Sequence, residues 1–254
     1  MKKNVIWWPA VKNKDHSDKY GNFDYFEYSR KTWEFWCKKN DVLFVPFEKP
    51  VEQDLHEYRI NWQKAIFVFD ELERRGIDYD QIALVDSTVM VKWDCPNFFE
   101  LTDRKFTVTR DIDNMSWTRD SILGYKDFFD GFELDSTKYF RSGFMVFNET
   151  HRDFFTQVTD FYNENADLLR QVEKEWHAGT DQTPVNILIH DRDVDFKWLP
   201  YEYNMCDMTR KELLTDDLLF TKWGWIYQYN SIPNNKEDKL TYYWMKKTYE
   251  YLYD

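Results

Sequence analysis

Ile82-Ala-Leu-Val-Asp86-Ser-Thr88-Val-Met-Val91 is a nearly continuous apolar run into which one acid and two hydroxyl residues are set. It reads as a buried central strand that delivers Asp86 at its carboxyl end. In open α/β sheets that edge is where ligands bind, so Asp86 is the first candidate functional residue. Taken alone, the plainer reading is a residue that turns the chain at the end of a strand.

Working outward, the flanking segments alternate. Val5-Ile-Trp-Trp8, closed by Pro9, reads as a first strand. A helix is expected from Ser29, where Trp33, Trp36 and Cys37 recur at helical spacing and Ser29 can cap the first free amides. Val42-Leu-Phe-Val45 before Pro46 reads as a second strand. Trp62, Ala65, Ile66, Phe69 and Leu72 then form one helical stripe that Gly76 can stop. The order β, α, β, α, β up to Asp86 predicts an α/β fold with a mostly parallel central sheet flanked by helices.

Downstream, Phe106–Thr109 and Tyr139–Phe147 read as strands, followed by a helix with Phe154, Val158 and Phe161 inward. Thr180 or Asp181 can cap a further helix to about Ile189, with Pro184 in its first turn, where a missing amide hydrogen costs little. Phe196–Leu199 reads as a late strand and Leu240–Leu252 as a closing aromatic helix. No repeat or linker divides the 254 residues, so a single domain over 1–254 is expected.

The net charge of −12 argues against non-specific nucleic-acid binding and against anionic membrane surfaces, both of which reward a basic face. No apolar segment has the length of a signal peptide or a membrane span. Cys37, Cys95 and Cys206 show neither CxxC nor metal spacing and read as buried thiols. A cytoplasmic protein is expected.

Three segments together resemble one family, the nucleotide-sugar-dependent glycosyltransferases of the GT-A fold, and within it the group similar to glycogenin and to bacterial lipopolysaccharide galactosyltransferases. Leu84-Val-Asp86-Ser-Thr88 falls where that family has a strand ending in Asp-x-Asp. Tyr139-Phe-Arg-Ser-Gly-Phe-Met-Val-Phe-Asn148 falls at its Phe-Asn-Ser-Gly strand, and Thr180-Asp-Gln-Thr-Pro-Val-Asn186 at its Asp-Gln-x-x-x-Asn helix start. The resemblance implies transfer of a sugar from a nucleoside diphosphate sugar, UDP- or GDP-linked, to a hydroxyl of a glycan, glycolipid or protein. It leans toward retention of configuration, although Asp181 could serve as a base for inversion.

In such chemistry negative charge grows on the departing diphosphate and must be met by a divalent cation or by fixed donors. The resemblance places Asp86 and Thr88 at the ligand positions for Mn²⁺ or Mg²⁺. Thr88 stands where the family has a second acid, and Gln228, in Trp225-Ile-Tyr-Gln-Tyr-Asn230, stands nearest to its metal-binding His. Thr88 is a weaker, neutral ligand where the family has a carboxylate, and both changes weaken a metal site. Metal binding is therefore expected to be shared with the donor diphosphate, weakened, or replaced in part by basic residues.

The resemblance also nominates Asp181 and Gln182 for the reacting end. For donor binding it nominates Trp7, Trp8 and Pro9 near the base, Arg59 and Lys64 near the phosphates, and Ser87, Arg141, Ser142, Gly143 and Gln228 around the sugar and diphosphate. Each has a plainer reading: Asp181 as a helix cap, the tryptophans as core, Arg59 and Lys64 as a solvated face. Gly143 within a bulky strand marks a close approach. His177 is a weaker candidate for the same pocket. Asp111-Ile-Asp113 and Asp191-Arg-Asp-Val-Asp195 read as solvated loops, and His16, His56, His151 and His190 show no zinc spacing. Two other functions compete: a non-catalytic or degenerate sugar-binding protein, suggested by Thr88 and Gln228, and a sugar nucleotidyltransferase, whose glycine-rich loop is lacking in Asn13-Lys-Asp-His-Ser17.

Overall fold

A computed structural model describes residues 2–13, 18–54, 58–112, 114–176, 180–206, 208, 217–230, 232 and 238–253. Its centre is a six-stranded sheet built from β1 (Lys3–Pro9), β2 (Leu43–Phe47), β3 (Tyr79–Val85), β5 (Phe106–Arg110), β6 (Phe140–Phe147) and β7 (Phe196–Trp198), in the order β2-β1-β3-β6-β5-β7. Only β6 runs against the others: it pairs antiparallel with both β3 and β5, while the remaining pairings are parallel. After β3 the chain turns at Asp86, whose carbonyl accepts from the Val89 amide at 2.9 Å. It then enters β4 (Val89–Val91), which pairs antiparallel with β8 (Ile226–Gln228) in a second, two-stranded sheet. The apolar run around Asp86 is thus two strands hinged at the candidate site.

Both faces of the main sheet are covered, and the period-two alternation of a strand sorts its residues between two cores. Val5, Trp7, Ile82, Leu84, Phe106 and Val108 lie in one; Ile6, Trp8, Ala83, Val85, Phe144 and Val146 lie in the other. Helix α1 (Phe26–Asn40) covers the second face. Helices α2 (Ile60–Ile66), α3 (Val68–Arg74), α4 (Met115–Tyr125), α5 (Arg152–Trp176) and α6 (Gln182–Asp191) contribute to the first, and α7 (Leu240–Tyr253) returns to the second. All three cysteines are free and buried. Among the described residues no helix is long and apolar enough to cross a membrane.

The structure departs from the sequence reading at several points. Helix α1 begins three residues before Ser29, which caps nothing. Its hydroxyl donates to the Val89 carbonyl at 2.6 Å and accepts from Trp8 Nε1 at 2.9 Å, tying α1 to both sheets. Strand β2 runs through Pro46 rather than stopping before it, because β2 is an edge strand and tolerates a residue without an amide hydrogen. The stripe from Trp62 to Leu72 is divided at Phe67, where ψ opens to 6°. The hydrogen bonds from Phe67 to Gln63 and from Glu71 to Phe67 carry the turn through, so the helix bends without ending. Gly76, at φ +65°, ends it as expected, and the Ile77 amide reaches back to the Leu72 carbonyl. Helix α4 escapes an apolar-periodicity search because two of its four buried residues, Thr118 and Ser121, are hydroxyls.

Candidate active site

The carboxyl ends of β1 and β3 and the amino end of the reversed strand β6 meet at one edge of the sheet. There they border a cavity of about 310 Å³ whose wall includes Pro9, Asp86, Ser142 and Gly143. Helix α2 adds Lys64 to that wall, the start of α6 adds Asp181 and Gln182, and β8 adds Gln228. The reversal of β6 is what brings Ser142 and Gly143 to the edge that Asp86 occupies; the Asp86 amide donates to the Gly143 carbonyl at 2.9 Å.

Lys64 is the centre of the arrangement. Its ammonium lies 2.9 Å from Asp86 Oδ1 and 3.4 Å from Asp181 Oδ2, and the three side chains are 6%, 25% and 6% exposed in that order. Asp86 is therefore the member most open to the cavity. Burial alone would lower the Lys64 proton affinity, but Asp181 and Asp86 outweigh it and hold the ammonium above the ordinary lysine range. Burial raises the Asp181 carboxyl, with Lys64 pulling against the rise and Asp86 adding to it. The Lys64 backbone is itself pinned, since its carbonyl accepts from Trp7 Nε1 at 2.9 Å.

Asp181 precedes α6 but makes no side-chain capping bond, so its carboxylate is spent on Lys64 and on the Ser142 hydroxyl, which donates at 3.2 Å. The capping expectation is corrected here: the charge points into the site. Gln182 is held as firmly. Its Oε1 accepts from the Ser142 amide at 3.1 Å and its Nε2 donates to Asp111 Oδ2 at 2.9 Å. Asn186, one turn on, clasps β6 by accepting from the Phe140 amide and donating to the Phe140 carbonyl. The motif at the start of α6 therefore locks that helix to β6.

Gly143 allows a close approach, but by protein atoms. A Cβ there would fall 2.3 Å from Gln228 Nε2 and 2.9 Å from Asp86 Oδ2. Gln228 is 1% exposed, and among the described residues neither its amide nitrogen nor its amide oxygen has a hydrogen-bond partner. Buried amides of this kind are costly and uncommon in folded proteins.

Among the described residues, every nominated one except Trp7 and Trp8 lines this cavity. Trp7 and Trp8 are corrected to core residues at 0% and 1% exposure. Trp7 stacks on Phe47, and Trp8 bonds Ser29 and packs on Phe26 and Phe44. Pro9, next in the strand, does reach the cavity. Arg59 sits at its rim in an ion pair with the buried Glu173. His16, His56, Asp113 and His177 lie outside the described residues. Of the remaining histidines, His151 Nδ1 accepts from the Asn148 amide and His190 Nε2 contacts the Lys138 carbonyl.

The reading of Asp111 as a solvated loop residue is overturned. Its side chain is 1% exposed and pairs with Arg141 at 3.1 Å as well as with Gln182. The signal was available: Arg141 stands in an otherwise apolar strand and a buried guanidinium requires a carboxylate, while Asp111 directly follows β5. Sequence reasoning also missed Asn13, Lys19, Tyr20, Trp117 and Asn230 in the cavity wall. No local pattern marks them. By contrast, Asp193 and Asp195 are exposed, Asp195 pairing with Lys105 on the surface.

The wall fits an independent divalent-cation site poorly. Asp86 already shares its charge with Lys64, and Thr88 and Gln228 are neutral. Two unit charges about 4 Å apart repel by roughly 4 kcal/mol at an effective dielectric near 20, and a divalent ion doubles this against the ammonium. Among the described residues no three His, Cys, Asp or Glu side chains gather as a ligand set.

No protein-family model matches the sequence, and no curated protein matches it. Solved structures do. A glycosyltransferase involved in glycosylation of the major capsid of PBCV-1 aligns at a TM-score of 0.60 and 12% identity, over 96% of this chain and 98% of that one. The galactosyltransferase LgtC, solved with donor and acceptor sugar analogues, aligns at 0.52 and 10% identity over 99% and 96%. The bifunctional glycosyltransferase WbbM aligns at 0.50 and 15% identity, over 98% of this chain and 51% of that one. At such identities the likeness is one of fold, and together with the strand order and the reversed β6 it establishes that the chain has the GT-A fold of the nucleotide-sugar-dependent glycosyltransferases its motifs resemble.

Proposed function

We propose that the protein is a hexosyltransferase-type enzyme that moves a sugar from a UDP- or GDP-sugar to a hydroxyl of a glycan, glycolipid or protein. The observation that carries this reading is the Lys64 ammonium held between Asp86 and Asp181 in a polar cavity at the carboxyl edge of the sheet. A departing diphosphate develops charge that fixed, partly desolvated cationic groups stabilise without reorganising. Lys64 and Arg141 supply such groups, both nearly buried and both oriented by carboxylates. In this reading Asp181, which lines the same cavity, meets the sugar, where a carboxylate can orient a hydroxyl or steady an electron-poor anomeric carbon. Gln182, Ser142 and Asp111 hold that acid and Arg141 in register. Three buried thiols, none in a disulfide, support a reducing compartment such as the cytoplasm.

The test is calorimetric titration with UDP-glucose, UDP-galactose and GDP-mannose, followed by an assay of hydrolysis of whichever binds. Saturable binding, with slow donor hydrolysis that Asp86→Ala abolishes, is the expected result. Binding without turnover under any acceptor would favour the non-catalytic reading, for which Thr88 and Gln228 speak. Failure of every sugar nucleotide to bind would refute the proposal.

A further inference from the structure

We propose that the donor diphosphate is bound without a divalent cation, its charge met by the Lys64 ammonium at the carboxylate where a GT-A enzyme with an Asp-x-Asp motif seats its metal. The inference rests on the transferase reading and specifies how that site works. Four observations converge on it.

Asp86 is the sole acid of its motif, and its Oδ1 is already in contact with Lys64 at 2.9 Å. The same ammonium reaches Asp181 at 3.4 Å, so one fixed cation bridges the two carboxylates that border the cavity. The two remaining positions of the motif's ligand set, Thr88 and Gln228, carry no charge, and Gln228 is buried with its amide unspent. Finally, the wall contains Lys19, Arg59, Lys64 and Arg141 against Asp86 and Asp181. The counter-carboxylates of the two arginines, Glu173 and Asp111, are buried side chains outside the cavity wall.

These features suit an anion that arrives without a metal. An ammonium has three N–H donors; Asp86 and Asp181 take two, and a phosphate oxygen can take the third. The Arg141 guanidinium, fixed by Asp111, adds a second positive charge to the same wall. A metal shared between Asp86 and the diphosphate would instead stand against the ammonium and draw on one carboxylate alone. The Gln228 amide, neutral and adjacent to Asp86, adds hydrogen-bonding capacity to the wall without adding a ligand charge.

The probes are UDP, GDP and Mn²⁺. Each nucleotide is titrated calorimetrically into the wild-type protein in EDTA and again with Mn²⁺ in excess, and Mn²⁺ alone is titrated with detection of the free ion by electron paramagnetic resonance. The expected result is a dissociation constant for the nucleotide that binds that agrees within about twofold in the two buffers, and no saturable Mn²⁺ binding to the protein alone. Lys64→Met should weaken nucleotide binding in EDTA by about tenfold or more, a loss of about 1.4 kcal/mol. The double variant Thr88→Asp, Gln228→His should acquire Mn²⁺ binding that the wild type lacks. A nucleotide affinity at least about tenfold weaker in EDTA than in Mn²⁺ would overturn the inference while leaving the transferase reading standing. Absence of binding in both buffers would overturn the transferase reading, and this inference with it.

Discussion

Replacing Gln228 by Met should make the protein more stable while weakening its donor site. The side chain is 1% exposed and neither polar atom of its amide has a hydrogen-bond partner among the described residues, so folding strips the amide of water without a protein partner there. On protein mutational scales an unpaired buried amide costs about 1–3 kcal/mol. Methionine has a similar length, no polar tip, and the flexibility to fill the space that Gly143 leaves open. Allowing for imperfect repacking, the expected gain is about 1–2 kcal/mol, which for a chain of this size raises Tm by roughly 2–8 °C. Differential scanning calorimetry and urea unfolding on the same preparation measure it. Titration with the nucleotide that the wild type binds then shows the cost, because a residue kept at the expense of stability is kept for function. A loss of more than about 1 kcal/mol in Gln228→Met would mean that the amide is satisfied in the folded protein, and the argument from its isolation would fail.

Lys64→Met should cost about 3–5 kcal/mol, the usual consequence of leaving a buried charge without its partner, and the deficit should shrink with acid. Burial already raises Asp181 above its ordinary 3.8, and without Lys64 it rises further. An acid raised in the folded state stabilises in full below its unfolded value and loses that contribution as pH rises through the folded one. A deficit that does not change from neutral pH toward pH 4 would refute the assignment. In the wild type the same sign holds at the other end of the scale. Lys64, held above 10.5, stabilises in full below that value and loses its contribution as pH climbs through the folded one, so unfolding free energy should fall in strongly alkaline buffer. Asp181→Asn should lower kcat by roughly 10²-fold, about 3 kcal/mol of electrostatic stabilisation, since no cap is lost; unchanged turnover would leave Asp181 structural. Thr88→Asp should confer measurable Mn²⁺ affinity by supplying the missing carboxylate, and a titration without change would show that the side chain cannot reach Asp86.

The alternation of strands and helices, the carboxyl-edge position of Asp86, and the cluster of Asp86, Ser142, Gly143, Asp181 and Gln182 were legible in the sequence. They are so because strand burial, helical periodicity and short motifs are local properties of the chain. That the sheet is mixed was expected, but which strand runs against the others was not legible. Yet β6 running against β3 is what sets Gly143 beside Asp86, and strand direction depends on which partner a strand finds rather than on its own residues. The same holds for individual side chains. Adjacent residues Trp8 and Pro9 have opposite fates, one in the core and one in the cavity wall, decided by what packs on each face of β1. Asp111, ordinary in sequence, became a buried anchor because Arg141 faces it across two strands, and Asp181, a natural cap by its position, turned its charge to Lys64 instead. The sequence by itself determined which groups were available to the site. Only the tertiary structure decided their pairings, because an electrostatic contact falls off with distance in space, and residues 22 and 117 positions from Lys64 come within reach of its ammonium only when the sheet is assembled.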